Sequence, residues 1–334
     1  MSSFSSSEEE EAFEDVNNGL ILSDIFFPTE ILLNILIFVS WKDLLACRSV
    51  CQTWKRIIDS VVSFEKLKRY SLKELRESFT HTLPTIKSDC VPFYLYFAIS
   101  KGAFGNNLLK NAFGSGDDPH VCERDQNAWR NFQFRSNRSA TGESSYVNGL
   151  ICSQKECPRY LHWGVLSSEG NGWSVEVEPT GSEPLPAHLP GRSCFTTSYG
   201  WCIKEQLITL EGHSLNSLIM DQIQPQLDVS EWYARRWDCG IKYKLEVSLL
   251  DSNKQVLHTF EEETGDSLQD NNWHQVSHSF KDYGPGVRYI LFRHCGRDSQ
   301  FWAGHYGSKM AGGSVIARIP SSQFEKTCDS ISLD

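Results

Sequence analysis

Two spacings of apolar residues divide the chain. Between Phe26 and Leu67 they recur at helical intervals. Pro28 suits the first turn of a helix, and Ile31, Leu32, Ile35, Leu36 and Val39 then fall on one helical face, with Leu33 and Ile37 off it. Ser40, with Asp43 three residues on, predicts the cap of a second helix through Leu44, Leu45 and Cys47. Val50, Trp54, Ile57 and Ile58 predict a third. Three helices in so short a segment carry more apolar surface than they can hide, so either the rest of the chain or a partner covers the excess.

From Phe93 onward glycines, aromatics and short alternating runs dominate. Leu207, Ile208 and Leu210 mark a strand, and Tyr243, Leu245, Val247 and Leu249 alternate with Lys244, Glu246 and Ser248 as in a half-buried one. Asp251-Ser252-Asn253 predicts a turn and Val256 to Phe260 the returning strand. Trp273 to Phe280, Val287 to His294 and Ser314 to Ile319 read as further strands, with a strong turn at Asp282 to Gly286. The class this predicts is multidomain α+β: a small helical module followed by an antiparallel β-sandwich. Between the modules, residues 68–92 read as a partly helical linker, broken at Pro84 and Pro92.

Composition narrows the function. The net charge is −10, which argues against binding nucleic acid by phosphate neutralisation. Seven acidic residues and no basic one lie in residues 1–24, a solvated acidic tail; residues 321–334 form a second tail. No run approaches the length of a membrane span and no signal peptide is visible, so the expected compartment is the cytosol. The 11 cysteines are odd in number and scattered, which favours reduced thiols; no pattern calls for a metal or cofactor. His274 and His278 sit on a strand pattern with no glutamate between them, and no nucleophile elbow or phosphate loop is present. Catalysis is therefore not expected.

Phe27-Pro28-Thr29-Glu30-Ile31-Leu32, then Asp43-Leu44, Val50-Cys51 and Trp54, resembles the F-box, with Phe27 where that pattern has leucine. The resemblance implies docking on the Skp adaptor and through it on a cullin scaffold. Pro28, Ile31, Leu32, Leu44, Leu45 and Val50 are the expected contributors. Further on, Gly172-Trp173-Ser174-Val175-Glu176, Trp232-Tyr233-Ala234, Asp282-Tyr283-Gly284-Pro285-Gly286-Val287-Arg288 and Trp302-Ala303-Gly304 resemble the F-box-associated (FBA) domain. That likeness spans about residues 93–320, with unmatched residues at 119–161 that read as a surface insertion.

The combination resembles the sugar-recognising F-box proteins. It implies a jelly-roll sandwich of the galactose-binding type and a substrate receptor for ubiquitination and proteasomal degradation. Some members bind N-glycans on misfolded glycoproteins exported from the endoplasmic reticulum. Carried over from that family's pocket, Phe195 matches a phenylalanine, Glu231 an aspartate, and Phe301-Trp302-Ala303 a Tyr-Trp-Lys run. Trp302 keeps a stacking plane, but Phe301 lacks the hydroxyl and Ala303 the cation. The ligand is therefore either a glycan or a protein epitope. A binder acting without the ligase is the alternative from another class.

Overall fold

The computed structural model describes residues 19–22, 25–67, 69, 78, 93–115, 158–264 and 268–320. Most of the acidic tail, nearly all of the linker, the 119–161 insertion up to residue 157, and the C-terminal tail lie outside them. The N-terminal order begins earlier than the composition suggests, with a two-stranded hairpin of β1 (Ile21–Leu22) and β2 (Ile25–Phe26). It is fastened to the next module by the Trp54 indole, which donates to the Gly19 carbonyl at 2.6 Å.

The helical module contains α1 (Thr29–Leu36), α2 (Trp41–Cys47), α3 (Gln52–Ile57) and α4 (Ser63–Leu67), with a wide helical turn joining the last two. Pro28 stands just before α1, at its N-cap. Ser40 caps α2 as its spacing predicts: its Oγ accepts from Asp43 N at 3.3 Å and donates to Asp43 Oδ2 at 2.7 Å. The inward face of α1 differs from the one read off the sequence. Leu32 and Leu36 are buried, whereas Ile31 and Ile35 each leave 47% of their surface in solvent. With apolar residues at six of the seven positions from Ile31 to Ile37, all but Asn34, spacing cannot single out one face.

Residues 93–100, grouped with the β-rich region by the sequence, form helix α5 (Phe93–Ser100). Its run Phe-Tyr-Leu-Tyr-Phe-Ala-Ile is apolar all round because it is covered on both sides. Toward the helical module, Phe97 meets Trp41 edge to face at 4.9 Å, and Arg48 lies 4.7 Å over Phe93. Lys101, just past the helix, stands over Trp41 at 3.8 Å. Toward the sandwich, Tyr94 donates to Gln222 at 3.0 Å. One continuous apolar core runs from Leu32 to Ile319.

Two five-stranded antiparallel sheets make the sandwich. One has the order β10 (His274–Phe280), β7 (Gln226–Ala234), β12 (Lys309–Arg318), β5 (Cys194–Thr196) and β4 (Ser174–Glu176). The other runs β3 (Gly164–Ser168), β6 (Cys202–Thr209), β11 (Tyr289–Asp298), β8 (Ile241–Leu250) and β9 (Val256–Thr264). The alternation on β8 holds: Tyr243, Leu245, Val247 and Leu249 are fully buried, facing Leu227, Val229, Val315 and Ala317 of the other sheet in one core. Asp251 builds the predicted turn by accepting from the amides of Asn253 and Gln255 at 2.8 Å each, and β9 returns antiparallel to β8.

The Asp282–Arg288 run is a single built corner. Tyr283 donates to the Pro225 carbonyl at 2.7 Å, and Val287 is buried. Arg288 forks onto Asp221 at 2.7 and 2.9 Å, and Asp221 also accepts from Gly286 N. Gly284 and Gly286 take φ of 76° and 109°, which residues with a Cβ adopt only under strain. Among the described residues no helix is long and apolar enough to cross a membrane.

Candidate functional site

Among the described residues, two of the groups of exposed large apolar side chains fall where the sequence expects binding. The first is the helical module. Ile31, Ile35, Leu45 and Val50 are all more than 40% exposed, and Phe38 is 78% exposed. Burial divides the expected docking set. Leu32 and Leu44 fill the module's own core and shape the surface from beneath rather than forming it. Pro28 is half-buried, while Ile31, Leu45 and Val50 stand outside. Ile35 and Phe38 are further exposed positions that the F-box pattern did not single out. Arg48 holds α2 against the turn after α3 through a forked pair with Asp59 at 2.5 and 2.8 Å.

The second place is one end of the sandwich. The loop after β11 is organised by Asp298, whose Oδ1 accepts from the amides of Gln300 and Phe301. That bonding forces Phe301 into a left-handed φ of 58°. Phe301 and Trp302 are then presented at 64% and 43% exposure, and Ala303 is exposed. Trp302 packs edge-on to Tyr306 at 5.5 Å, and Tyr306 lies under the Arg236 guanidinium at 4.5 Å. Arg236 is fixed by two bonds to Asp238, and its neighbour Trp237 is 67% exposed. Asn171 reaches in from the β3–β4 loop and accepts from Gly304 N at 2.8 Å. The loop of Ser198 joins through its carbonyl to Asp298 N at 2.9 Å. The segments around Asn171, Ser198, Arg236 and Trp302 therefore meet at one rim.

Phe195 and Glu231, expected beside Trp302, are not on that rim. Each lies on a strand of the interior, 0% and 1% exposed. They belong to a polar network sealed between the sheets. Lys204 on β6 bonds to Nε2 of His294 on β11, Nδ1 of His294 pairs with Glu231 Oε1 of β7 at 2.7 Å, and Tyr243 of β8 donates to Glu231 Oε2 at 2.8 Å. The partners fix the tautomer: Nδ1 carries the proton and Nε2 accepts from the lysine amine. Phe195, Trp173 and Trp163 wall in the Lys204 nitrogen at 3.2, 4.2 and 4.3 Å from their ring centres. Burial drives Lys204 well below its ordinary value and His294 down to about 4, each against the opposing pull of Glu231. Burial, reinforced by Glu231, pushes Tyr243 well above its own. The network joins the sheets, and its side chains are buried between them. A second pair, buried Lys309 with partly exposed Glu176 at 2.6 Å, ties β12 to β4.

Sequence reasoning missed Trp237, Tyr306 and Arg236, because only the fold brings the loop after β7 to the loop after β11. The thiols of Cys194, Cys202 and Cys239 are buried, consistent with core filling, and Cys295 is half-buried; Cys152 and Cys157 lie outside the described residues.

The helical head, with its exposed apolar face, carried on a ten-stranded sandwich, defines an F-box protein with a recognition domain behind it. The "F-box-like" family matches residues 27–64, and the family described as "F-box associated region" matches residues 99–317. F-box only protein 6 of Rattus norvegicus is 30% identical over 293 residues, covering 86% of this chain and 84% of that one. F-box only protein 27 of Macaca fascicularis is 30% identical over 300 residues, covering 87% and 88%. F-box only protein 44 of Homo sapiens is 30% identical over 297 residues, covering 88% and 96%. The chain belongs to the F-box proteins with an F-box-associated domain.

Proposed function

We propose that the chain is the substrate-recognition subunit of an SCF-type (Skp–cullin–F-box) ubiquitin ligase in the cytosol, and that it recruits substrates without doing chemistry itself. The observation that carries this is the split of exposed apolar surface between two separate places. Ile31, Leu45 and Val50 lie on the F-box, and Trp237, Phe301 and Trp302 on the far module. The first serves the Skp adaptor and, through it, the cullin; the second receives the substrate. Helix α5 holds the two modules together, which suits a receptor that must present its cargo at a fixed distance.

The ligand this reading assigns to the loop end is the N-linked glycan of a misfolded protein, destined for ubiquitination and proteasomal degradation. A sugar ring stacks on an aromatic plane while its hydroxyls bond to polar groups at the rim. Trp302 supplies the plane, and Arg236 and Asp238 the polar groups. A protein epitope is the second reading. Ala303 and the burial of Phe195 and Glu231 favour it, since they remove three of the polar and stacking groups carried over from the glycan pocket.

Co-purification of the Skp adaptor and cullin with the full chain tests the first half. Retention by the wild type and loss with Val50→Asp supports docking through the F-box. Equal retention by both, or none by the wild type, overturns it.

A further inference from the structure

The β4–β5 loop folds into a cleft that the network at the loop end does not use. Its volume is 490 Å³, within the roughly 300–1,000 Å³ typical of small-molecule sites. Pro179, Pro184, Leu185 and Leu189 give it apolar walls, and Glu178 and Arg192 give it a carboxylate and a guanidinium. Ser182, also on its lining, has a buried hydroxyl with no partner among the described residues.

The loop that lines the cleft is bonded to the rim described above. Gly181, next to Ser182 in the chain, accepts from Trp237 N at 2.8 Å, which sets the exposed Trp237 segment against the cleft's lining loop. Arg236 packs within 3.3–3.4 Å of where a Cβ on Gly181 would stand, and the same guanidinium lies over Tyr306, which packs on Trp302. An unbroken path of Trp302, Tyr306, Arg236 and Gly181 therefore leads from the aromatic loop to the cleft.

We infer that the cleft is a second saccharide subsite. An oligosaccharide with one end on Trp302 would extend over Arg236 toward Trp237, which offers a further ring face. Its outer residue would be held by Glu178 and Arg192, both exposed on the cleft's lining. Apolar walls with a carboxylate and a guanidinium among them suit a hydroxyl-rich ligand better than a purely apolar one. This rests on the glycan reading above.

Titrations of the full chain with two probes test this: N,N′-diacetylchitobiose, and a complete high-mannose chain carrying the same disaccharide at its reducing end. The expected result is tighter binding of the long chain. Glu178→Ala and Arg192→Ala, both at exposed positions, should each weaken the long chain about tenfold and leave the disaccharide unchanged. Trp302→Ala should weaken both. If the wild type binds the long chain but neither Glu178→Ala nor Arg192→Ala weakens it, the subsite is overturned and the glycan reading stands. If the wild type binds neither probe, the glycan reading fails and the subsite with it.

Discussion

His294 and Glu231 face each other across the two sheets, Nδ1 to Oε1 at 2.7 Å, with both side chains sealed from water. The buried imidazole resists protonation until about pH 4, while in the unfolded chain it protonates near the ordinary value of about 6.5. The unfolded state therefore binds the extra proton first as pH falls. The contribution is whole above about pH 6.5 and is lost as pH drops toward 4, to a total of roughly 3 kcal/mol. Lys204, whose charged form burial also opposes, acts in the same direction. Urea unfolding at stepped pH should show the slope, and His294→Gln should flatten it. A wild-type stability unchanged between pH 7 and 4.5 contradicts this assignment.

Glu231 is the acceptor for two buried donors, so its loss should be severe. Glu231→Leu strands the His294 N–H and the Tyr243 hydroxyl in a dry core. The expected cost is about 3–5 kcal/mol, read from the denaturant midpoint. A cost under about 1 kcal/mol would mean that the network is dispensable.

Leu44 and Leu45 are adjacent but should behave oppositely. Leu45→Asp changes an exposed position, so the F-box should stay folded while Skp adaptor binding weakens at least tenfold. Leu44→Asp puts a charge into a fully buried site and should unfold the module. Circular dichroism beside adaptor titration separates the outcomes. Normal adaptor binding by Leu45→Asp removes that position from the docking face.

Phe97 should couple the two modules. Phe97→Ala removes the edge-to-face contact with Trp41 and uncovers Trp41 beneath Lys101. Calorimetry of the wild type should show one unfolding transition, and the variant should show the F-box melting first. Two transitions already present in the wild type would disprove the coupling.

What the sequence showed depended on whether a residue's surroundings were local. The cap at Ser40, the alternation of β8 and the turn at Asp251 are short-range, and each is legible. The corner at Asp282–Arg288 is legible as a turn, although Asp221, its partner, lies far back in the chain. Helix α5 is not legible, because a segment covered on both sides shows no polar face. Strands β3, β4 and β5 are too short to establish a period. In the site, the exposed aromatic loop follows from its neighbouring glycines. Phe195 and Glu231 enter the expected pocket only by carry-over from the family the chain resembles. Both lie on strands whose inward positions are set by the opposite sheet, and that pairing is not written in local spacing. Trp237 and Arg236 join the rim only through long-range loop packing.

The most direct test of a receptor with a docking face at one end and a substrate face at the other is reconstituted ubiquitin transfer. The full chain, the Skp adaptor, the cullin scaffold and the conjugating machinery would be supplied with an unfolded high-mannose glycoprotein. Transfer should proceed with the wild type and fall at least tenfold with either Val50→Asp or Trp302→Ala, each with its fold intact. Transfer unaffected by both substitutions, or absent with the wild type, would contradict the account.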